Sequence, residues 1–249
     1  MKDFAEQGVT EITLLGQNVN SYGRDLTKKL KSENPSNTDA FQVGDLWLEE
    51  SKRKIKPLFA DLLKSVGLIE GIERVRFIGP HPKDLTAEIV AAMSKTENVC
   101  EHLHLPLQSG SDSILSAMHR GYTGERFLRK IEQARSEIDD LSVTTDLIVG
   151  FPGESETDFE ETLEVVAEAQ FDAAYTYIFS PRPGTDAAEM ESKFIEHAVA
   201  VRRYETLRNV VKRSSLLKHK ERVGRVEEVL VAVSYTHLRA HETRHDLVC

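Results

Sequence analysis

LSVTTDLIVGFPGESETDFEE, residues 141–161, contains one complete unit of the fold. Val143, Thr144, Thr145, Ile148 and Val149 are β-branched, which suits a pleated, buried strand. The run stops at Pro152-Gly153, and Thr157 followed by Glu160 reads as a capping box that opens a helix. Asp158, Glu160 and Glu161 then fall in the first helical turn, where the macrodipole favours negative charge.

The same strand–loop–helix unit recurs on both sides. Upstream, VTEITLLG (9–16) reads as a strand, and PLFADLLKSVG (57–67) as a helix with Leu58, Leu62, Leu63 and Val66 on one face. RVRFIG (74–79) is a strand, followed by a helix through Ile89, Val90 and Met93. EHLHLPLQ (101–108) is a strand in which Leu103 and Leu105 alternate with His102 and His104. Thr123 caps the next helix, whose Phe127, Leu128, Ile131, Ala134 and Ile138 keep a 3.6-residue period. Downstream come a strand at 171–180 ending on Pro181 and Pro183, a long basic helix from about 194 to 220, and a new strand at 225–233.

Such alternation predicts an α/β fold of parallel strands joined by crossover helices. In these folds ligands sit at the carboxyl ends of the strands. Here those ends read GQN, GPHP, PLQSGSD, GFPGE and SPRPGT, which are small, polar or helix-breaking. A composite site at one barrel mouth is the reading they favour.

Composition narrows the classes. The 249 residues, 40% hydrophobic and 29% charged, suit one large globular domain or two small ones. No apolar run approaches the roughly 20 residues that span a bilayer. The opening MKDFAEQGVTEI lacks a signal-peptide pattern, so a cytoplasmic setting is expected. Cys100 and Cys249 are too few for a disulfide framework or a cysteine-ligated metal. A net charge of −9 argues against a uniformly basic nucleic-acid binder. Nine Lys/Arg nevertheless fall between Arg202 and Arg225, against Glu205 and Glu221. That stretch is either a solvated helix face or a nucleic-acid contact.

Individual motifs are less decisive. ITLLGQNVNSYG (12–23) ends a hydrophobic strand in Gln17, Asn18 and Asn20, suggesting a floor that hydrogen-bonds something polar and uncharged. LPLQSGSD (105–112) places Gln108 and Ser109 at a strand end. Gly110 there permits close backbone approach, and Ser111 or Asp112 opens a helix. Taken alone, that motif is better explained by plain turn chemistry, with Ser111 as an N-cap. His102 and His104 share a strand face and suit packing better than metal; Cys100 reads as a small core residue. Arg182, between two prolines, is either an ordinary loop arginine or a contact to a substrate anion. No hydrolase elbow, zinc-protease motif, phosphate loop or dinucleotide fingerprint is present. An aldolase or epimerase would want a lysine or carboxylate pair at the strand ends, where carboxamides stand instead. The residues reach a barrel-type enzyme with a polar, neutral ligand site. They do not reach the reaction.

Taken together and in this order, LLGQNVNSYG, RFIGPHP, HLPLQSGSD, DLIVGFPGE and FSPRPGT resemble the radical S-adenosylmethionine (SAM) methylthiotransferases. The resemblance covers about residues 1–26 and 57–231. It leans toward the branch that adds a methylthio group to N6-isopentenyladenosine beside the tRNA anticodon. A branch that modifies a ribosomal-protein aspartate is the alternative, and a non-catalytic SAM- or RNA-binding barrel is another. The fold implied is α/β: a partial (β/α) TIM-like barrel of the radical SAM type, then the start of a truncated β-barrel (TRAM-like) domain.

The resemblance further implies SAM and two [4Fe-4S] clusters as cofactors and tRNA as partner, with no membrane and a monomeric protein. It leaves the sulfur and electron donors unidentified. Gln17, Asn18, Gln108, Ser109, Val149, Gly150 and Phe151 would line the SAM pocket. Arg182, Arg208, Lys212 and Arg213 would face substrate or RNA. The family's C-x-x-x-C-x-x-C cluster motif and the further cysteines of its N-terminal domain are absent. No metal ligand is therefore assigned here, and the cluster cysteines are expected upstream of Met1. On that basis this chain alone is expected to be inactive. Residues 1–222 are expected to form the core without its first strand and cluster loop, interrupted by a polar surface loop at 27–56. Residues 223–233 would begin the second domain, and 234–249 match nothing in the family.

Overall fold

The computed structural model describes residues 1–26, 41–43, 46–48 and 57–230. The chain opens with helix α1 (Lys2–Glu6) and strand β1 (Glu11–Leu15). Strands β2 (Phe41–Val43) and β3 (Leu46–Leu48) pair antiparallel, so the polar insertion expected as a simple loop carries a small hairpin. There follow α2 (Phe59–Gly67), β4 (Arg74–Ile78), α3 (Ala87–Lys95), β5 (His102–His104), α4 (Asp112–Ala117) and α5 (Gly124–Glu137). The series ends with β6 (Ser142–Val149), α6 (Glu156–Ala169), β7 (Ala173–Ile178), α7 (Asp186–Glu189) and α8 (His197–Glu221). Among the described residues no helix is long and apolar enough to cross a membrane.

β1 pairs with β4, and β5, β6 and β7 form a three-stranded sheet, all parallel. A parallel bridge between Val75 and Val99 joins the two sets. The order β1-β4-β5-β6-β7 therefore never reverses. Each unit adds its strand beside the last, the pattern of a (β/α) barrel and not of a doubly wound sheet.

The sheet has one helix-covered face and one concave face. Along β6, Val143, Thr145, Leu147 and Val149 are buried; the three apolar ones join the core with Phe127, Phe159, Val166, Phe171, Leu207 and Val211. Ser142, Thr144, Asp146 and Ile148 alternate onto the concave face. At the other end Phe59 meets Phe77 edge to face at 5.2 Å, tying α2 to β4.

Three local expectations change. The capping box that opens α6 is Ser155 with Asp158, two residues earlier than Thr157 with Glu160. Ser155 Oγ accepts the Asp158 amide, and Asp158 accepts the Ser155 amide in return. Strand β5 is shorter than the expected 101–108 because its backbone bulges. There the Leu107 amide bonds to Thr145 Oγ1, which in turn donates to Leu105 O, each at 2.8 Å. Pairing resumes at a bridge between Gln108 and Leu147. No strand forms over 225–230, the described part of the one expected at 225–233. Val226 and Val229 there are exposed, and among the described residues no strand pairs with this stretch. The Thr123 cap holds: its hydroxyl accepts the Arg126 amide at 3.2 Å.

Candidate functional site

The carboxyl ends of the five parallel strands gather at one mouth, and hydrogen bonds stitch their loops in pairs. Gly79 must be glycine. Its φ is +85°, and a Cβ would lie 2.0 Å from the Gly16 carbonyl oxygen. Across this contact Asn20, fully buried, donates to His81 O at 3.0 Å and accepts the His81 amide at 2.9 Å. Asp84 accepts from Asn18 Nδ2 at 2.7 Å, from Ser21 at 3.2 Å and from Arg24 at 3.1 Å. Burial opposes ionisation of Asp84, but the hydrogen bonds from Asn18 and Arg24 outweigh it and hold the carboxyl below its usual range.

Among the described residues, Asn18 Oδ1 is left buried without a hydrogen-bond partner. Turning the amide over would set that oxygen against the Asp84 carboxylate, so chemistry fixes its orientation. The site thus presents an acceptor that lacks a donor. Gln17, next to it, is exposed.

The third and fourth loops are joined through α6. Ser109 is fully buried, its hydroxyl 3.2 Å from Thr162 Oγ1 and accepting the Ser111 amide. Gly110 donates to the same Thr162 at 3.0 Å, and a Cβ on it would lie 2.6 Å from Thr162 Cα. The close approach expected at Gly110 is therefore to a helix. Ser111 and Ser113 both donate to the Asp158 carboxylate. Gln108, at φ +68°, is half-buried, and its backbone bonds to Asp146 and Ile148 leave the carboxamide unengaged among the described residues.

At the end of β6, Val149 points into the helix-side core, fully buried. Gly150 turns at φ +73°, with Ala200 2.9 Å from where its Cβ would be. Phe151 is almost buried and meets Phe179 edge to face at 5.3 Å; Phe179 continues to Phe194 at 6.0 Å. Glu154 and Arg203 complete this corner as a pair at 2.8 Å, 0% and 4% exposed.

On the concave face, His102 Nε2 and His104 Nδ1 each lie 3.0 Å from Thr144 Oγ1. One hydroxyl can accept from one ring and donate to the other, which accounts for both histidines without a metal. Burial, reinforced by Arg76, pushes the His102 pKa down. Cys100 is not a core residue as expected: it is half-buried, with its thiol pKa raised by burial. Among the described residues no three His, Cys, Asp or Glu side chains gather to hold a metal.

Arg182 is exposed on the loop after β7. On α8, Arg208, Lys212 and Arg213 are exposed, and none joins an ion pair among the described residues. Four other arginines of the stretch, Arg202, Arg203, Arg222 and Arg225, differ. Arg202 pairs with Glu156, and Arg222 and Arg225 both grip Asp140. Asp84, Thr162, Asp158, Glu154 and Arg203 all escape a reading of motifs. Arg203 alone leaves a signal, since 200, 203, 207 and 211 fall at helical spacing among apolar residues.

The strand order and the polar mouth define a barrel-type α/β enzyme fold. The family described as the Radical SAM superfamily matches residues 1–166, and the chain belongs to it. Membership implies SAM and [4Fe-4S] chemistry. The chain is 45% identical over 234 residues to a protein of Mycobacterium sp. (strain JLS) named tRNA-2-methylthio-N(6)-dimethylallyladenosine synthase, covering 93% of this chain and 42% of that one. It is 44% identical to a protein of the same name from Moorella thermoacetica (strain ATCC 39073 / JCM 9320), covering 93% and 46%. A namesake from Streptomyces coelicolor (strain ATCC BAA-471 / A3(2) / M145) is 47% identical, covering 91% and 39%. The chain thus spans less than half the length of these relatives. Coproporphyrinogen III oxidase (HemN) from Escherichia coli is a structural match at TM-score 0.48 and 12% identity, covering 86% of this chain and 56% of that one.

Proposed function

We propose that this chain is the SAM-binding and RNA-facing part of a tRNA methylthiotransferase acting on N6-isopentenyladenosine beside the anticodon. The relatives of that name support the reaction, and the mouth supports the cofactor. The observation that carries the reading is Asn18 Oδ1, a buried acceptor without a donor at the strand end. SAM offers such donors in its ammonium and its adenine amine. When bound, SAM would supply a sulfonium that one electron from a [4Fe-4S] cluster could cleave.

The residues divide the work. Gln17 and Gln108, whose side chains are unengaged among the described residues, are free to bond the ribose hydroxyls and the charged methionine groups. Asn18 accepts, held by Asp84. Phe151 walls the adenine with the Gly150 turn behind it, whereas Val149 and Ser109 act from beneath by holding the loops. The two [4Fe-4S] clusters are a separate matter. Their irons need thiolates, and this chain's residues do not fit a cluster. Arg182, Arg208, Lys212 and Arg213 face the tRNA, and the protein works in the cytoplasm as a monomer. Residues 1–222 form the core, and 223–233 lead into a second domain.

Calorimetric titration of SAM into the chain tests the site. Replacing Gln108 by Ala is expected to weaken binding about tenfold, the loss of roughly one hydrogen bond, with the fold intact. An unchanged affinity refutes the assignment.

A further inference from the structure

Arg203 is buried on a helix whose other basic residues face solvent, and no part of the proposed chemistry uses it. Its Nη1 donates to Glu154 Oε2 at 2.8 Å and to the Glu154 carbonyl at 3.0 Å. Its Nη2 donates to Glu156 at 2.9 Å, and its guanidinium lies 5.5 Å from the Phe159 ring centre. The same Glu154 Oε2 accepts the Gly150 amide at 2.8 Å. One turn earlier on α8, Ala200 abuts the Gly150 Cα. The helix therefore meets the end of β6 at two points, one by contact and one through a carboxylate.

A buried ion pair is a poor source of stability, because desolvation offsets the attraction, and apolar residues of like volume often do as well. What this pair does supply is a fixed acceptor for an amide in a left-handed turn, with Phe151 immediately after it.

We propose that Arg203 and Glu154 are positioning residues: the pair fixes the Gly150 turn, and through it the Phe151 wall of the cofactor site, from α8. This rests on the reading of the strand-end mouth as a SAM site. It also makes the basic helix mechanically continuous with that wall, so the face proposed for tRNA and the pocket proposed for SAM share one buried joint.

The test compares the unaltered chain with the double variant Glu154→Leu/Arg203→Met, which leaves no orphaned charge, and with Glu154→Gln, whose carbonyl oxygen keeps an acceptor for Gly150. Thermal unfolding, hydrogen exchange at the Gly150 amide and SAM titration are read for each. The double variant is expected to keep its melting temperature, to exchange Gly150 at least about tenfold faster, and to bind SAM about tenfold more weakly. Glu154→Gln is expected to unfold at a lower temperature, because buried Arg203 loses a charged partner, yet to stay near the unaltered chain in Gly150 exchange and SAM affinity, a rescue that a purely structural ion pair would not show. Unchanged exchange or unchanged SAM affinity in the folded double variant overturns the proposal. So does a Glu154→Gln variant that matches the double. If the double variant does not fold, Arg203→Lys stands in; it cannot reach both glutamates and must still speed exchange at Gly150. A chain that binds no SAM at all refutes the cofactor reading, while the exchange comparison still decides whether the pair holds the turn.

Discussion

Removing Asp158 should cost the mouth several hydrogen bonds at once. Its carboxylate accepts from Ser111 Oγ at 2.6 Å, from Ser113 Oγ, and from the Ser155 amide at 2.8 Å together with the Ser155 hydroxyl. It therefore caps α6 and pins the start of α4 in one step. Loss of the capping box costs about 1 kcal/mol. The two hydroxyl bonds to a charged acceptor would each be worth about 1.5–3 kcal/mol if sealed off, and about half that at this partly exposed site. Asp158→Ala should thus destabilise the chain by about 2–3 kcal/mol at neutral pH, after the serines re-pair with each other or with water. For a chain of this length that is a fall in melting temperature of about 4–12 °C.

The pH dependence follows with a definite sign. Partial burial works against ionisation of Asp158, but hydrogen bonds from Ser111, Ser113 and Ser155 outweigh it and hold the carboxyl far below its usual range. A depressed folded pKa means that the stabilisation is complete above the unfolded value, about 4, and fades as pH falls toward the folded value. The gap between the unaltered chain and Asp158→Ala should be flat from pH 8 to pH 5 and narrow below about pH 4. Urea unfolding across that range is the assay. A gap under about 0.5 kcal/mol at pH 7, within ordinary surface-mutation scatter, or one that fails to narrow in acid, refutes the account.

Other perturbations separate the stitches. Gly79→Ala would drive a Cβ into the Gly16 carbonyl at 2.0 Å and should abolish soluble expression, whereas Gly184→Ala, also at positive φ but with nothing within 4 Å, should cost only about 1–2 kcal/mol in urea unfolding. Asp84→Ala should free Asn18 and weaken SAM binding in calorimetry by about tenfold; equal affinity would mean that Asn18 does not touch the cofactor. Reversing the charge of Arg208, Lys212 and Arg213 should lower the slope of log affinity for tRNA against log salt by about 2–3. An unaltered slope in filter binding would make that face solvated decoration.

Much of the fold was legible because its signals are local. Strand–helix alternation, the Thr123 cap and the long basic helix need only neighbours in sequence. What failed is what depends on distant partners. SETDFEE offers two capping registers, and nothing nearby ranks them. Ser155 wins because Asp158 also receives two serines from the start of another helix. The shortening of β5 is likewise invisible, since the Thr145 hydroxyl that supports its bulge comes from the adjacent strand. Arg203 looks like any of the nine basic residues of its stretch until the register 200-203-207-211 is laid on the core face.

The carboxamides after β1 show why the site was only partly readable. A cluster of Gln and Asn at a strand end looks like a ligand floor, but two of the three are also structural. Asn20 spends both ends of its amide on His81, and Asn18 spends one on Asp84. The same division runs through LPLQSGSD, where the Ser109 hydroxyl is used beneath the loop and the Gln108 carboxamide is not. A polar residue near a mouth therefore marks the site in one of two ways, by meeting the ligand or by holding the residue that does. Composition cannot distinguish them, because both roles call for small neutral donors and acceptors. Unspent hydrogen-bonding capacity helps: among the described residues Asn18 Oδ1 is buried without a partner, as are Glu154 Oε1 and Arg203 Nε in the ion pair behind Gly150, and of these three only Asn18 stands in the loop after β1.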